Sequence, residues 1–339
     1  MPSILGIEST CDETAAAVVE DGVRVRSNIV ATQTALHAKY RGVVPEIASR
    51  AHLENINPVI EESLSAAGAS WDRIDAIAVA HRPGLIGSLL IGVTAAKTLA
   101  WCIGKPLIGV DHVHAHLYSV RLQSGIDPPM PAVGLVCSGG HTALYRLNSM
   151  LDAELVGTTL DDAVGEAYDK VSAILGLGYP GGPILDGLAR RGDPSSIRFP
   201  RALLDHDSLD FSFSGLKTAV LYHVRGRQGR ERTVAELSQQ QISDVAAAFQ
   251  AACVDVLCEK IRRAVERFAA RCVIIGGGVS ANRGLRQAME KFPVPVFFPP
   301  LEFCTDNAAM IAGLADLLLA AGRTSELDLD AITYSQWTA

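Results

Sequence analysis

The stretch Ser3-Ile-Leu-Gly-Ile-Glu-Ser-Thr-Cys-Asp-Glu-Thr14 runs from an apolar β-type segment straight into a polar turn. A second stretch, Ala132-Val-Gly-Leu-Val-Cys-Ser-Gly-Gly-His-Thr142, repeats that design, with Gly134 inside its strand as Gly6 is inside the first. Working outward from the first, residues 3–7, 14–19 and 23–30 read as three strands, with Asp21-Gly22 as the hairpin turn between the last two. A helix over 45–67 opens on Pro45 and should kink at Pro58. A strand over 75–80, a helix over 86–102 and a strand over 106–110 follow. From the second stretch the same order restarts. Strands are expected at 132–137, 142–147 and 154–158, then a helix at 164–175 and a long helix from 234 to about 268. A strand at 272–275, a helix from 282, an edge strand at 294–298 containing Pro295 and a closing helix at 306–321 complete the chain.

Three strands followed by alternating helices and strands thus occur twice. This predicts an α/β protein of two similar lobes built from duplicated βββαβα units, with a ligand cleft between them. The expected division is 1–129, 130–325 and a tail of 326–339, with the first crossing at 128–131 and the closing helix able to pack back on the first lobe. The length of 339 residues suits two such cores. Seven cysteines form no C-x-x-C pair and no framework spacing, which predicts reduced thiols and a cytoplasmic protein. The apolar run 85–104 contains Lys97 and many small residues, so a buried helix is expected there, not a membrane span. A net charge of −7 argues against non-specific coating of nucleic acid.

Chemistry concentrates at the turns. His112 and His116 stand at i and i+4, a spacing that puts two imidazoles on one helical face where both can reach one ion. A metalloprotease would need a glutamate after the first histidine, and Val113 stands there instead. Asp306, at a strand-to-helix junction, is the natural third ligand, or else an N-cap. Ser138-Gly139-Gly140 and Gly276-Gly277-Gly278 leave backbone N–H groups free for an anion and allow a flat purine to approach. Asn282 is positioned for a nucleoside or for capping. Asp169 and Asp186 suit ribose hydroxyls, with Gly182 permitting close approach, although Asp169 could equally pair with Lys170. Asp12, Glu13 and His141 are the candidates for a general base. Arg225, Arg227, Arg230 and Arg232 mark a loop that is either an RNA phosphate contact or a solvated turn.

Several strings together go beyond spacing: Gly6-Ile-Glu-Ser-Thr-Cys-Asp-Glu-Thr14, Cys137-Ser-Gly-Gly-His-Thr142, Tyr179-Pro-Gly-Gly-Pro183, Phe211-Ser-Phe-Ser-Gly-Leu-Lys217, Gly276-Gly-Gly-Val-Ser-Ala-Asn282 and Cys304-Thr-Asp-Asn-Ala-Ala-Met310. In that order, from residue 3 to about 318, the chain resembles the TsaD family, also known as YgjD or Gcp and once called O-sialoglycoprotein endopeptidase. The resemblance implies an actin-like (ASKHA) fold. It also implies transfer of the threonylcarbamoyl group from threonylcarbamoyl-AMP to the N6 amine of the adenosine next to the tRNA anticodon. His112, His116 and Asp306 look like the family's ligands for one divalent metal per subunit, usually iron, with zinc the other candidate. Val136, Cys137, Ser138, Gly139, Gly140, Asp169, Gly182, Asp186 and Asn282 look like its adenylate contacts, with Gly277 beside them. The implied partners are tRNA, a TsaB-like paralogue and a TsaE-like ATPase; a homodimer is expected when the chain is alone. A small-molecule kinase and a non-catalytic nucleotide-binding scaffold are the competing readings, since fold alone does not fix activity. One departure is Arg82, where the family usually has the first glycine of Gly-Pro-Gly-Leu.

Overall fold

The computed structural model describes residues 1–204, 207–226 and 233–335. The described residues divide into two compact units, 1–127 with those from 299 onward, and those within 128–298. Residues 299–325, which include the closing helix that the sequence reading allowed to pack back on the first lobe, group with the first unit.

The first unit holds β1 (Ser3–Glu8), β2 (Glu13–Glu20), β3 (Arg24–Thr32), α1 (Thr34–Ala38), α2 (Pro45–Ala67), β4 (Ala76–Arg82), α3 (Ile86–Ile103), β5 (Leu107–Asp111) and α4 (His112–Tyr118). The second opens with β6 (Ala132–Cys137), β7 (Thr142–Ser149), β8 (Asp152–Thr158), α5 (Val164–Ile174), α6 (Gly181–Ala189) and α7 (Ser214–Arg225). It continues with α8 (Gln239–Phe268), β9 (Cys272–Gly276), α9 (Arg283–Met289) and β10 (Val296–Phe297), after which α10 (Ala308–Ala320) closes the first unit.

The two sheets share one plan. Their orders are β3-β2-β1-β4-β5 and β10-β9-β6-β7-β8. In the first, β1 is antiparallel to β2 and parallel to β4; in the second, β6 is antiparallel to β7 and parallel to β9. Strand alternation sorts the side chains of β1 by face. Leu5 and Ile7 join Ile56, Ile60, Leu89 and Val93 in the core beneath α2 and α3. Gly6 turns to the other face, where a Cβ would lie 2.5 Å from the carbonyl oxygen of Ala308. Only a residue without a side chain lets α10 approach that closely.

Several elements differ from the sequence reading. The expected helix from 234 is broken: a short 3-10 turn, Val234–Glu236, precedes α8, and Ser238 opens α8 with a capping box to Gln241. The Ser238 hydroxyl claims the orphan N–H of the first turn, which restarts the helix there. Helices α6 and α7, for which the sequence reading gave no element, begin inside the motifs 179–183 and 211–217. Residues 325–335, the start of the expected tail, are tied to the first unit. Ser325 pairs with Leu107 of β5, and Ile332 N–H donates to the His81 carbonyl. Both α3 and α8 are long and apolar enough to cross a membrane by length and composition. α8 is mostly buried within its unit, whereas α3 buries one face through Leu89, Val93, Ala96 and Ala100 and exposes Ile86, Leu90 and Trp101. Of the arginine loop, Arg227, Arg230 and Arg232 lie outside the described residues, while Arg225 ends α7.

Candidate metal centre and nucleotide-binding loops

α4 begins directly at the end of β5. Asp111 supplies its N-cap, accepting from the backbone N–H of Val113 at 3.0 Å and of His114 at 3.2 Å. The cap fixes the first turn, and the helical period puts His112 and His116 on one face with ring centroids 4.7 Å apart. Both rings are buried. Asp306 reaches the same point from the segment before α10: its Oδ1 lies 3.1 Å from His116 Nε2 and 3.6 Å from His112 Nε2. The N-cap of α10 is Asn307, whose side chain accepts from Met310 N–H. Asp306 is thereby left to the histidines, which decides against its reading as the cap. The three donor atoms lie within 4.8 Å of one another, a group that could hold a metal ion. Two imidazole nitrogens and one carboxylate oxygen suit a borderline divalent cation.

Charge at this site is tuned by burial and neighbours. Burial, and after it the neighbouring His112, hold His116 below the ordinary imidazole range despite Asp306, which favours the neutral form a ligand must have. His112 is buried too, yet Glu8 and Asp306 overcome that penalty and raise it to about 9. Burial, then Asp306 and Asp12, push Glu13 up to about 10, and burial, then Asp12 and Asp306, raise the Cys11 thiol. Both groups border the His-His-Asp cluster, and the negative charge of Asp306 is part of what raises them.

Sequence reasoning passed over Glu8 as a site residue, although it was quoted within its motif. It is fully buried at the end of β1. Its Oε1 accepts from Thr10 N–H at 2.6 Å, and its Oε2 lies 2.8 Å from His112 Nδ1. The turn is pinned in its turn by Leu85 N–H on the Thr10 carbonyl at 2.9 Å. Gly84 permits this, because a Cβ there would come within 2.6 Å of the same oxygen. Arg82, the departure from the usual glycine, sits 3.2 Å from Asp111 Oδ2, where the Ser335 hydroxyl also donates. The extra charge is thus spent on the cap of the histidine helix.

In the second unit the sequence-chosen residues form a chain of contacts around the C-terminal ends of β6 and β9, which run parallel in register from Ala132–Cys272 to Val136–Gly276. Val136 and Cys137 are buried strand residues, and Ser138 N–H bonds back to the His141 carbonyl, closing the turn. Its exposed tip is Gly139 and Gly140, where a Cβ would meet nothing within 4 Å. The Ser138 carbonyl accepts from Gly165 N–H at the start of α5, the helix that carries Asp169. Asp169 Oδ1 accepts from Gly181 N–H at 2.7 Å, while Lys170 pairs with Asp162 and Glu166, so Asp169 is not simply the partner of its neighbour. Gly182 faces open space. Asp186 on α6 accepts from Arg283 N–H at 3.3 Å. Asn282 is already engaged at both ends: its Oδ1 caps α9 through Leu285 N–H and its Nδ2 donates to Gln250 Oε1 at 2.8 Å. Gly277, at φ +89°, abuts the Cys137 carbonyl, so its glycine is required by the fold itself. His141 belongs to this unit; Asp12 and Glu13 belong to the other.

A duplicated five-stranded α/β sheet plan with a His-His-Asp group defines an actin-like fold carrying a candidate metal centre. A likeness at the level of fold alone exists to the (R)-2-hydroxyglutaryl-CoA dehydratase component A of Acidaminococcus fermentans, with a TM-score of 0.55 at 14% identity over 94% of this chain and 100% of that one. The family model TsaD, tRNA N6-adenosine threonylcarbamoyltransferase, matches residues 24–313, and the chain belongs to that family. A relative of that name from Moorella thermoacetica is 52% identical over 97% of this chain and 96% of its own length. Another from Symbiobacterium thermophilum is 52% identical over 97% and 95%.

Proposed function

We propose that this chain transfers the threonylcarbamoyl group from threonylcarbamoyl-AMP to the N6 amine of the adenosine adjacent to the anticodon, in tRNAs reading codons that begin with A, and releases AMP. The observation that carries the chemistry is the convergence of His112, His116 and Asp306 in a chain of the transferase family. Those three residues hold one divalent cation, iron in this reading, with zinc the other candidate. When bound, such a cation supplies Lewis-acid polarisation of the acyl carbonyl.

The anhydride already carries a good leaving group, so the main task is alignment of a weak nucleophile. The open tip at Gly139 and Gly140 presents backbone N–H groups to the adenylate phosphate, and Asp169, Gly182 and Asp186 take the ribose side. Gly277 and Asn282 shape the purine side. Asn282 acts there through its place in the Gln250 network, since its own amide is spoken for. Asp12, Glu13 and His141 are the candidates to take the amine proton. The partners in this reading are tRNA, a TsaB-like paralogue and a TsaE-like ATPase, in the cytoplasm, with Arg225 and the loop after it contributing to tRNA binding.

The test is incubation of purified protein and partners with tRNA and threonylcarbamoyl-AMP. Modified tRNA and AMP should form in equal amounts. The His112→Ala/His116→Ala variant should lose stoichiometric metal and most of the transfer. Full metal occupancy in that variant removes the ligand assignment, and failure to modify tRNA removes the function.

A further inference from the structure

We propose that Glu8 is a positioning residue for the metal centre: its carboxylate holds the proton on His112 Nδ1 and so keeps Nε2 free to face the cation. This rests on the metal reading above and adds to it a residue outside the ligand set.

The geometry leaves the Glu8 carboxylate little freedom. It is fully buried, and a buried carboxylate is stable only when its oxygens are hydrogen-bonded. One oxygen is taken by Thr10 N–H at 2.6 Å and the other by His112 Nδ1 at 2.8 Å. An ionised carboxylate can only accept, so the Nδ1 facing it must donate. The proton is therefore fixed on Nδ1, and Nε2, on the opposite side of the ring, points toward Asp306. A carboxylate behind the imidazole also raises the basicity of the ligating nitrogen. Thr10 Oγ1, at 3.3 Å from the same Nδ1, is a weaker second partner and does not replace Glu8. Glu8 meets His112 at Nδ1, whereas Asp306 meets it at Nε2, so Glu8 stands behind the ring and outside the His112, His116 and Asp306 group.

Glu8→Gln is the decisive substitution because it is nearly isosteric and reverses the hydrogen-bond logic. Its amide oxygen must accept from Thr10 N–H, which turns the NH2 group toward His112 Nδ1. Two donors cannot face each other, so the ring proton moves to Nε2 and blocks the metal position. The probe is Co²⁺ alone, titrated into chelator-treated full-length protein and followed by its d–d absorption. Glu8→Gln should lose about 10- to 100-fold in Co²⁺ affinity, with the melting temperature of the metal-free protein close to wild type. A purely structural role would lower the melting temperature and leave Co²⁺ affinity alone. Wild-type Co²⁺ affinity in Glu8→Gln overturns the proposal, provided that wild type binds one Co²⁺ and His112→Ala/His116→Ala does not. If wild type itself binds none, the metal reading fails and the proposal with it.

A second measurement needs no variant. In ¹⁵N-histidine spectra of Zn²⁺-loaded wild type, His112 should keep its proton on Nδ1 and carry the metal on Nε2. Metal on Nδ1 overturns the proposal whatever the variant does.

Discussion

Adding a single methyl group at Gly6 should loosen the first unit and disturb its metal site from a distance. A Cβ at Gly6 would stand 2.5 Å from Ala308 O, 2.8 Å from Ala312 N and 2.9 Å from Ala312 Cβ. Two of these are backbone atoms of α10, so no side-chain rotation relieves the clash. Ordinary non-bonded contact lies near 3.5 Å, so the helix must retreat from β1 by roughly 1 Å. Overpacking of this kind costs about 1–3 kcal/mol, which lowers the melting temperature by roughly 2–12 °C for a unit of this size. Asp306 stands just before α10, so the same retreat draws its carboxylate away from His112 and His116, which stay on α4. Co²⁺ affinity should therefore fall together with stability in Gly6→Ala. The control is Gly139→Ala, where the new methyl meets nothing within 4 Å and stability should hold. If Gly6→Ala melts with its control and binds Co²⁺ as wild type does, the close approach of α10 to β1 is not what sets the site.

Asn282→Ala removes the cap of α9 and the partner of Gln250, so it should cost about 1–2 kcal/mol in denaturant unfolding; equal stability would deny it a structural role. In the same variant AMP affinity, followed by calorimetry, should drop several-fold as the Gln250 network relaxes, and unchanged affinity would place the nucleotide elsewhere. Arg82→Ala leaves the Asp111 cap without its cation, and the half-buried pair should be worth about 1 kcal/mol in the same assay; no loss would show that the charge does not support α4. The Arg262 and Arg263 guanidiniums hold Glu259 down to about 2 from its ordinary 4.5. Its folded form is the more acidic, so its contribution is complete above about pH 4.5 and is lost as pH falls through 2. These pairs lie at the surface, so screening leaves about 0.5–1 kcal/mol. Glu259→Gln should thus be less stable than wild type at pH 7 and equal to it near pH 2, and a pH-independent difference would refute the assignment.

Local rules acting over a few residues made much of this protein legible without its structure. Alternating apolar residues and the Asp21-Gly22 turn marked the first hairpin, and the restart at Ala132 marked the duplication, because strand period and turn chemistry are local. The i, i+4 spacing put His112 and His116 on one face for the same reason. Other features depended on which segments meet, and no local pattern records that. Asp306 and Asn307 are adjacent and both can cap a helix; only the approach of α10 to β1, allowed by Gly6, gave the cap to Asn307 and Asp306 to the histidines. Glu8 read as one acid in a polar turn; beyond its local bond from Thr10 N–H, only the fold brings its second oxygen against His112, 104 residues away. Residues 325–335 have no periodicity of their own and are held by backbone groups of β4 and β5 that no local pattern could identify. A short-range pattern fixes what each segment can be, whereas hydrogen-bond and charge satisfaction between distant segments decides what each residue does.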